Sequence, residues 1–163
     1  MNACFLWKTE VVVARDGDGW VECKCGSRHW GLHGAAGLLI SRSDSLLMQH
    51  RAPWVHNGDS WGIPGGARDS HENWVEAALR EADEEIGVLP PTLQVLTQFA
   101  DDHLTWSYIT VIAKIDEEFT PLQLNHESIE LRWMKIEEVE SLNLHQSFAR
   151  TWPDLKALLK TVM

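Results

Sequence analysis

Residues 65–88, GGARDSHENWVEAALREADEEIGV, restrict the fold of this chain more than any other stretch. The two glycines after Pro64 predict a tight turn. A helix follows, its last two turns carry Arg80, Glu81, Glu84 and Glu85, and Gly87 stops it. At about 100° per residue, positions 81, 84 and 85 fall within one sector of about 100°. Three carboxylates on one patch repel each other unless something positive sits among them. Val75, Leu79, Ala82 and Ile86 cluster on another sector, so the helix has an apolar side and an acidic side. An acidic helix face is most often simply solvated. An acid cluster at the end of a glycine turn and helix favours instead a hard divalent cation held by oxygens, Mg²⁺ with several waters retained.

The rest of the chain supplies a sheet for that helix. Residues 33–40 (HGAAGLLI) and 45–51 (SLLMQHR) read as a buried hairpin turning at Ser43-Asp44, and residues 60–63 as a short strand feeding the glycines. Asp69 or Ser70 is the expected helix cap, with Glu72 imitating a capping box. Residues 92–99, 105–115 and 128–136 are β-rich, the first two joined by a polar turn at 100–103. A last helix is expected from Thr151 as cap, with Pro153 in its first turn and Leu155, Leu158, Leu159 and Val162 as its apolar stripe. Strands in mixed order with two principal helices imply an α/β chain: an α/β/α sandwich around a mixed central sheet.

Residues 1–33 read as a leader and 34–163 as the main domain. In the leader, residues 10–15 and 20–23 predict a β-hairpin around the turn signal Asp16-Gly17-Asp18-Gly19. Cys23-Lys24-Cys25-Gly26 precedes His29 and His33, a set able to hold zinc. Structural zinc pairs are usually spaced by two to four residues, however, so free thiols in a turn, with His29 and His33 as packing or surface residues, are the expectation. The three cysteines, Cys4, Cys23 and Cys25, form no disulfide framework. With no signal peptide at the start, a cytoplasmic protein is expected. No apolar run is long enough to span a membrane.

The formal net charge is −10. This argues against non-specific nucleic-acid binding, which depends on Lys and Arg neutralising phosphates. An anionic substrate must then be met by metal ions or a local basic pocket. Of the nine tryptophans, most are expected in or near the core, with one or two free to stack on a planar ligand.

Read from Gly66, the chain follows G-x5-E-x7-R-E-U-x-E-E-x-G-U, with Gly66, Glu72, Arg80, Glu81, Ala82, Glu84, Glu85, Gly87 and Val88 at the named positions. This resembles the signature of the Nudix (MutT-like) hydrolases, over roughly residues 34–152. The resemblance implies Mg²⁺-dependent hydrolysis, with Mn²⁺ as a substitute, of a nucleoside diphosphate linked to another group. Water attacks phosphorus, metal clamps the oxygens and a base activates the water. It implies Glu81, Glu84, Glu85 and the Gly65 carbonyl as metal ligands, Arg80 as an orienter of carboxylates, and Glu72 as support for the loop–helix junction. Arg51 and Gly66 are expected on the substrate side, since MutT-like enzymes have a substrate-contacting arginine in a similar place. Trp54, His56, Trp106 and Tyr108 are candidates for base or ribose contact.

MutT-like enzymes add a glutamate from a later loop. Asp101-Asp102 and Glu127 compete for that part. Glu127, six residues before Trp133, is the expected ligand or general base, with Asp102 next and Glu130 third. The expected partner is a small nucleotide, weakly favouring a nucleoside triphosphate cut to monophosphate and pyrophosphate. ADP-ribose, nucleotide sugars and dinucleoside polyphosphates stay open, as does a homodimer. The rival readings are a Nudix-like regulator that binds without cutting, against which the full set of box glutamates argues, and an RNA-decapping enzyme, for which the composition lacks a basic surface.

Overall fold

The computed structural model describes residues 15–122 and 125–163. In chain order the strands are β1 (Trp20–Glu22), β2 (Arg28–Trp30), β3 (Ala35–Arg42), β4 (Ser45–Arg51), β5 (Trp61–Gly62), β6 (Gly65–Ala67), β7 (Gln94–Asp102), β8 (Ser107–Lys114) and β9 (Ser128–Lys135). Helix α1 (Trp74–Ile86) lies between β6 and β7. A 3₁₀ turn (Val139–Ser141) and α2 (Gln146–Val162) follow β9.

Among the described residues seven strands form one mixed sheet, and β1 and β2 form a separate pair. At the centre β3 runs parallel to β8, with Ala35 opposite Tyr108 and Ser41 opposite Lys114. β7 pairs antiparallel with β8. β3 and β4 are joined only beside their turn, at Ser41–Leu46 and Arg42–Ser45. Beyond it β3 pairs with β6, while β4 pairs with β9 and β5. The expected hairpin is therefore short, and the sheet forks.

Both faces of the sheet are covered, which is why β3 and β4 read as nearly continuous apolar runs rather than alternating ones. Ala36, Leu38 and Ile40 of β3 and Leu47 of β4 pack with Ala78, Ala82 and Ile86 of α1. Leu39, Leu46 and Met48 point the other way, to Phe148, Trp152, Leu155 and Leu159 of α2. The two-residue period of the strands thus feeds two cores. Burying one such leucine fully contributes about 1.5–3 kcal/mol. No helix among the described residues is long and apolar enough to cross a membrane.

Several local expectations change. Residues 65–67 are not a turn but strand β6, paired with Ala35–Gly37. The glycines permit close approach: a Cβ on Gly65 would sit 2.5 Å from the Ala36 carbonyl oxygen. The helix cap is Asn73, whose side chain accepts from the Glu76 amide at 2.9 Å while Glu76 accepts from the Asn73 amide at 2.8 Å. Asp69 is committed elsewhere, since its Oδ1 accepts from the amides of Asp16 and Gly17. Gly87 ends α1 with φ 96°.

The strand β7 continues through Asp102, because Ala100, Asp101 and Asp102 all pair with β8. The turn falls at 103–106 instead. Helix α2 begins at Gln146, five residues before the expected cap, and encloses Pro153. An interior proline costs about 3 kcal/mol. The buried stripe of Phe148, Trp152, Leu155 and Leu159 offsets it.

In the leader, residues 10–14 lie outside the described residues. Trp20–Glu22 pairs with Arg28–Trp30, downstream, in register Trp20–Trp30.

Candidate active site

The acidic end of α1 lies under the fork of the sheet. Glu81 is largely covered, Glu84 is exposed, and Glu85 is only 6% exposed. Gln49 of β4 donates from Nε2 to Glu85 Oε2 at 2.7 Å, and the same nitrogen lies 2.7 Å from Ser128 Oγ of β9. Glu85 is thereby tied to β4 and, through Gln49, to β9.

Burial pushes the Glu85 carboxyl up to about 8; the charges of Glu81 and Glu127 add to the rise, while Gln49 and Arg51 oppose it. Glu81 is also raised, first by burial, against the pull of Arg80. Folded Glu85 thus keeps a proton that the unfolded chain gives up above its ordinary value of 4.5. The resulting stabilisation is complete below 4.5 and is lost as pH rises to about 8. Glu85→Gln removes this titration. In metal-free thermal melts the variant should gain on the wild type as pH rises through that window, and stop gaining above it. A Tm difference that does not change with pH would contradict the burial argument.

Arg80 binds the cluster from behind. Its Nε and Nη2 donate to the two Glu72 oxygens, its Nη1 donates to Glu81 Oε1 at 2.5 Å, and its Nη2 also reaches the Ala67 carbonyl. Glu72 precedes the helix, and Glu72 and Glu81 meet on one guanidinium. Arg80 holds Glu72 below the usual carboxylate range. Gly66 completes the packing: a Cβ there would lie 2.6 Å from Glu81 Oε2. The spacing from Gly66 to Glu81 therefore has a steric reason.

Glu81, Glu84, Glu85, Gly65, Gly66, Arg51 and Glu127 all line one cleft of about 640 Å³. Arg51 stands at the end of β4. Its Nη2 donates to the His56 carbonyl at 3.2 Å, and its Nε is buried without a hydrogen-bond partner. Glu127 lies in the loop before β9, anchored because its carbonyl accepts from the Ala52 amide at 2.7 Å. Of its competitors, Asp102 is turned to the Leu104 amide, and Glu130 pairs with Arg132; neither lines the cleft. Asp101 does, but its carboxylate is held by His103 and Arg150. His56, Trp106 and Tyr108 line it; Trp54 does not, its ring 67% exposed and its Nε1 donating to the His126 carbonyl.

Of the lining residues that the sequence does not single out, three stand out. Arg15 pairs with Glu84 and lies 3.8 Å from Glu81. Nothing in local spacing connects it to residues so far along the chain. His145, at the start of α2, is a second, and burial pushes its pKa down. Trp20, on β1, is the third, 5.3 Å from the His56 ring.

The donors fit a hard divalent cation. Four carboxylates and the Gly65 carbonyl supply oxygen only, and Glu85 is buried among like charges that a cation would neutralise. Arg15, already drawn into the cluster, displays the same demand for positive charge.

A forked mixed sheet between two helices, with an acidic helix end and a half-buried arginine lining one cleft, is an arrangement suited to hydrolysis of phosphoric anhydride bonds. The chain belongs to the Nudix family, since the NUDIX domain model matches residues 31–155. It is 44% identical over 161 residues to a putative 8-oxo-dGTP diphosphatase 3 of Mycobacterium tuberculosis, covering 92% of this chain and 74% of that one. It is 40% identical to a nucleoside triphosphate pyrophosphatase/Nudix hydrolase fusion protein of Bifidobacterium longum, of whose length it spans 32%. The crystal structure of a Nudix hydrolase from M. smegmatis, RenU, superposes with a TM-score of 0.83 at 42% identity, covering 90% of this chain and 98% of that one.

Proposed function

We propose that this chain hydrolyses a nucleoside triphosphate to the monophosphate and pyrophosphate with Mg²⁺. The observation that carries the reading is the mixed lining of the one cleft: Glu81, Glu84, Glu85 and Glu127 supply carboxylates, Trp20 and Trp106 supply rings, and Arg51 is among them. Phosphates belong at the carboxylates once these are charged with metal, and the base belongs against the rings. The relative named 8-oxo-dGTP diphosphatase supports the triphosphate choice.

In this reading Glu81, Glu84, Glu85 and the Gly65 carbonyl hold Mg²⁺, which would supply Lewis-acid stabilisation of the phosphoryl oxygens. Arg80 keeps Glu81 in position. Arg51 offers its unpaired Nε–H to a phosphate oxygen. Glu127 takes the proton from the attacking water. Its loop carbonyl bond to Ala52, next to Arg51, keeps base and phosphate-binding arginine in register. Cys23 and Cys25 are in no disulfide, which suits the cytoplasm, where we place the reaction.

The test is a panel of nucleoside triphosphates, including oxidised ones, with ADP-ribose, a nucleotide sugar and a dinucleoside polyphosphate, each with Mg²⁺ and after chelation. Monophosphate and pyrophosphate from a triphosphate, abolished by chelation and restored by Mg²⁺, are expected. Turnover confined to ADP-ribose or a nucleotide sugar would overturn the substrate assignment. Tight binding without any product would make the chain a nucleotide-binding regulator.

A further inference from the structure

The β1–β2 hairpin ends in a cluster that the hydrolytic reaction does not use. Cys23 Sγ, Cys25 Sγ and His29 Nε2 lie within 4.8 Å of one another, and Cys25 Sγ is 3.2 Å from His29 Nε2. The turn closes tightly, with the Cys23 amide donating to the Ser27 carbonyl and the Gly26 amide to the Cys23 carbonyl, both at 3.0 Å. His33, expected beside this group in sequence, is turned away towards Asp16, 3.6 Å from its carboxylate.

From these three side chains we infer that the hairpin turn is a structural zinc site, with Cys23, Cys25 and His29 as protein ligands and solvent in the fourth position. Two thiolates and an imidazole are the soft and borderline donors that select zinc over Mg²⁺. Tetrahedral bonds of about 2.3 Å to sulfur and 2.0–2.1 Å to nitrogen require donor–donor edges of about 3.5–3.8 Å. The cluster therefore needs shifts of only about 1 Å. The one-residue gap between the cysteines, unusual for a zinc pair, is met because His29 returns on the opposite strand of the hairpin.

The surroundings suit ligands. The Cys25 amide, at 3.5 Å, and the Thr105 hydroxyl, at 3.3 Å, both donate to Cys23 Sγ. Burial raises the Cys23 thiol, but these donors outweigh it and bring the thiol down to about 6. Burial pushes the His29 imidazole down, which keeps it neutral with a lone pair to give. Its ring is fixed flat against Trp106, centroids 4.3 Å apart at 8°. As a thiol, Cys23 donates to the His103 carbonyl. Binding Zn²⁺ releases to solvent whatever thiol protons remain, at most two per ion, and oxidises nothing. Cys25 is exposed, leaving the fourth position open to water.

The site pins the hairpin to the 103–106 turn. Trp20, Arg28, His29 and Trp30 of the hairpin and Trp106 at the end of that turn all line the cleft. Zinc therefore sets the position of these aromatic rings without touching the carboxylates.

Cobalt titration tests this, since thiolate-to-cobalt charge transfer arises only from sulfur ligands and the carboxylate cluster is silent. The metal-free full chain should develop the band with one equivalent of Co²⁺ and lose it to one equivalent of Zn²⁺. The purified chain should carry about one zinc. Cys25→Ser and His29→Gln should each weaken Co²⁺ binding at least about tenfold. Cys4→Ser and His33→Gln should leave it unchanged. Cys25 is exposed, so Cys25→Ser is expected to fold, and circular dichroism checks this. Absence of the band in the wild type, an unchanged Co²⁺ affinity in Cys25→Ser, or loss of the band in Cys4→Ser or His33→Gln would each overturn the assignment.

Discussion

Glu84→Gln and Glu85→Gln should each lower kcat by about 10³-fold or more at saturating Mg²⁺, while the fold survives. The metal ligands stabilise charge developing on the phosphoryl oxygens, a contribution of several kcal/mol, and each 1.36 kcal/mol is a factor of about ten in rate. Neither replacement disturbs packing. The Glu84 side chain is 45% exposed, and its partners in the structure are Arg15 and, at 3.8 Å, Arg80. At position 85 a glutamine oxygen can still accept from Gln49 Nε2. The two variants should differ in stability. Glu85→Gln removes a buried group pushed up to about 8, so its metal-free form should be the more stable of the two at pH 8. Steady-state kinetics over a Mg²⁺ titration, with circular dichroism as a fold control, decide the matter. Near-full activity in either variant would move the metal site away from the end of α1.

Glu127→Gln should lower kcat by roughly 10²–10⁴-fold, the usual contribution of a general base, with little change in KM. The comparison that gives this meaning is Asp102→Asn. Asp102 is the last residue of β7, its Oδ1 accepts from the Leu104 amide and it does not line the cleft, so its replacement should cost no more than a few-fold. A crippled Asp102→Asn beside a healthy Glu127→Gln would assign the base to the other loop.

The acidic helix shows how far local pattern carries. Positions 81, 84 and 85 share a face by helical geometry alone, and Val75, Leu79, Ala82 and Ile86 mark the core side. Local pattern also offers Asp69 and Ser70 as caps, but Asp69 is taken by the amides of Asp16 and Gly17, over fifty residues away. Asn73 with Glu76 then forms the true capping box. At the other end of the chain, Thr151 followed by Pro153 looks like a helix start. Packing of Phe148 and Trp152 extends α2 backwards past both.

What the sequence determined by itself were the properties that depend on neighbours along the chain. These are the helix with its acid patch, the period-two strands, the α/β class and the Gly-to-Glu spacing of the box. Each follows from backbone geometry acting over a few residues. Tertiary structure decided which distant groups meet. Pairing of residues 65–67 with β3 turned an expected turn into a strand, because glycines lacking Cβ let two backbones touch. Forking of β3 from β4 accompanied the meeting of Arg51, Glu127 and the end of α1 in one cleft. Folding brought Arg15 onto Glu84 and carried Cys23 to Thr105 and His103. Such contacts are made by side chains whose separation in sequence sets no limit on their separation in space. Only the packing of the two cores on the sheet does that.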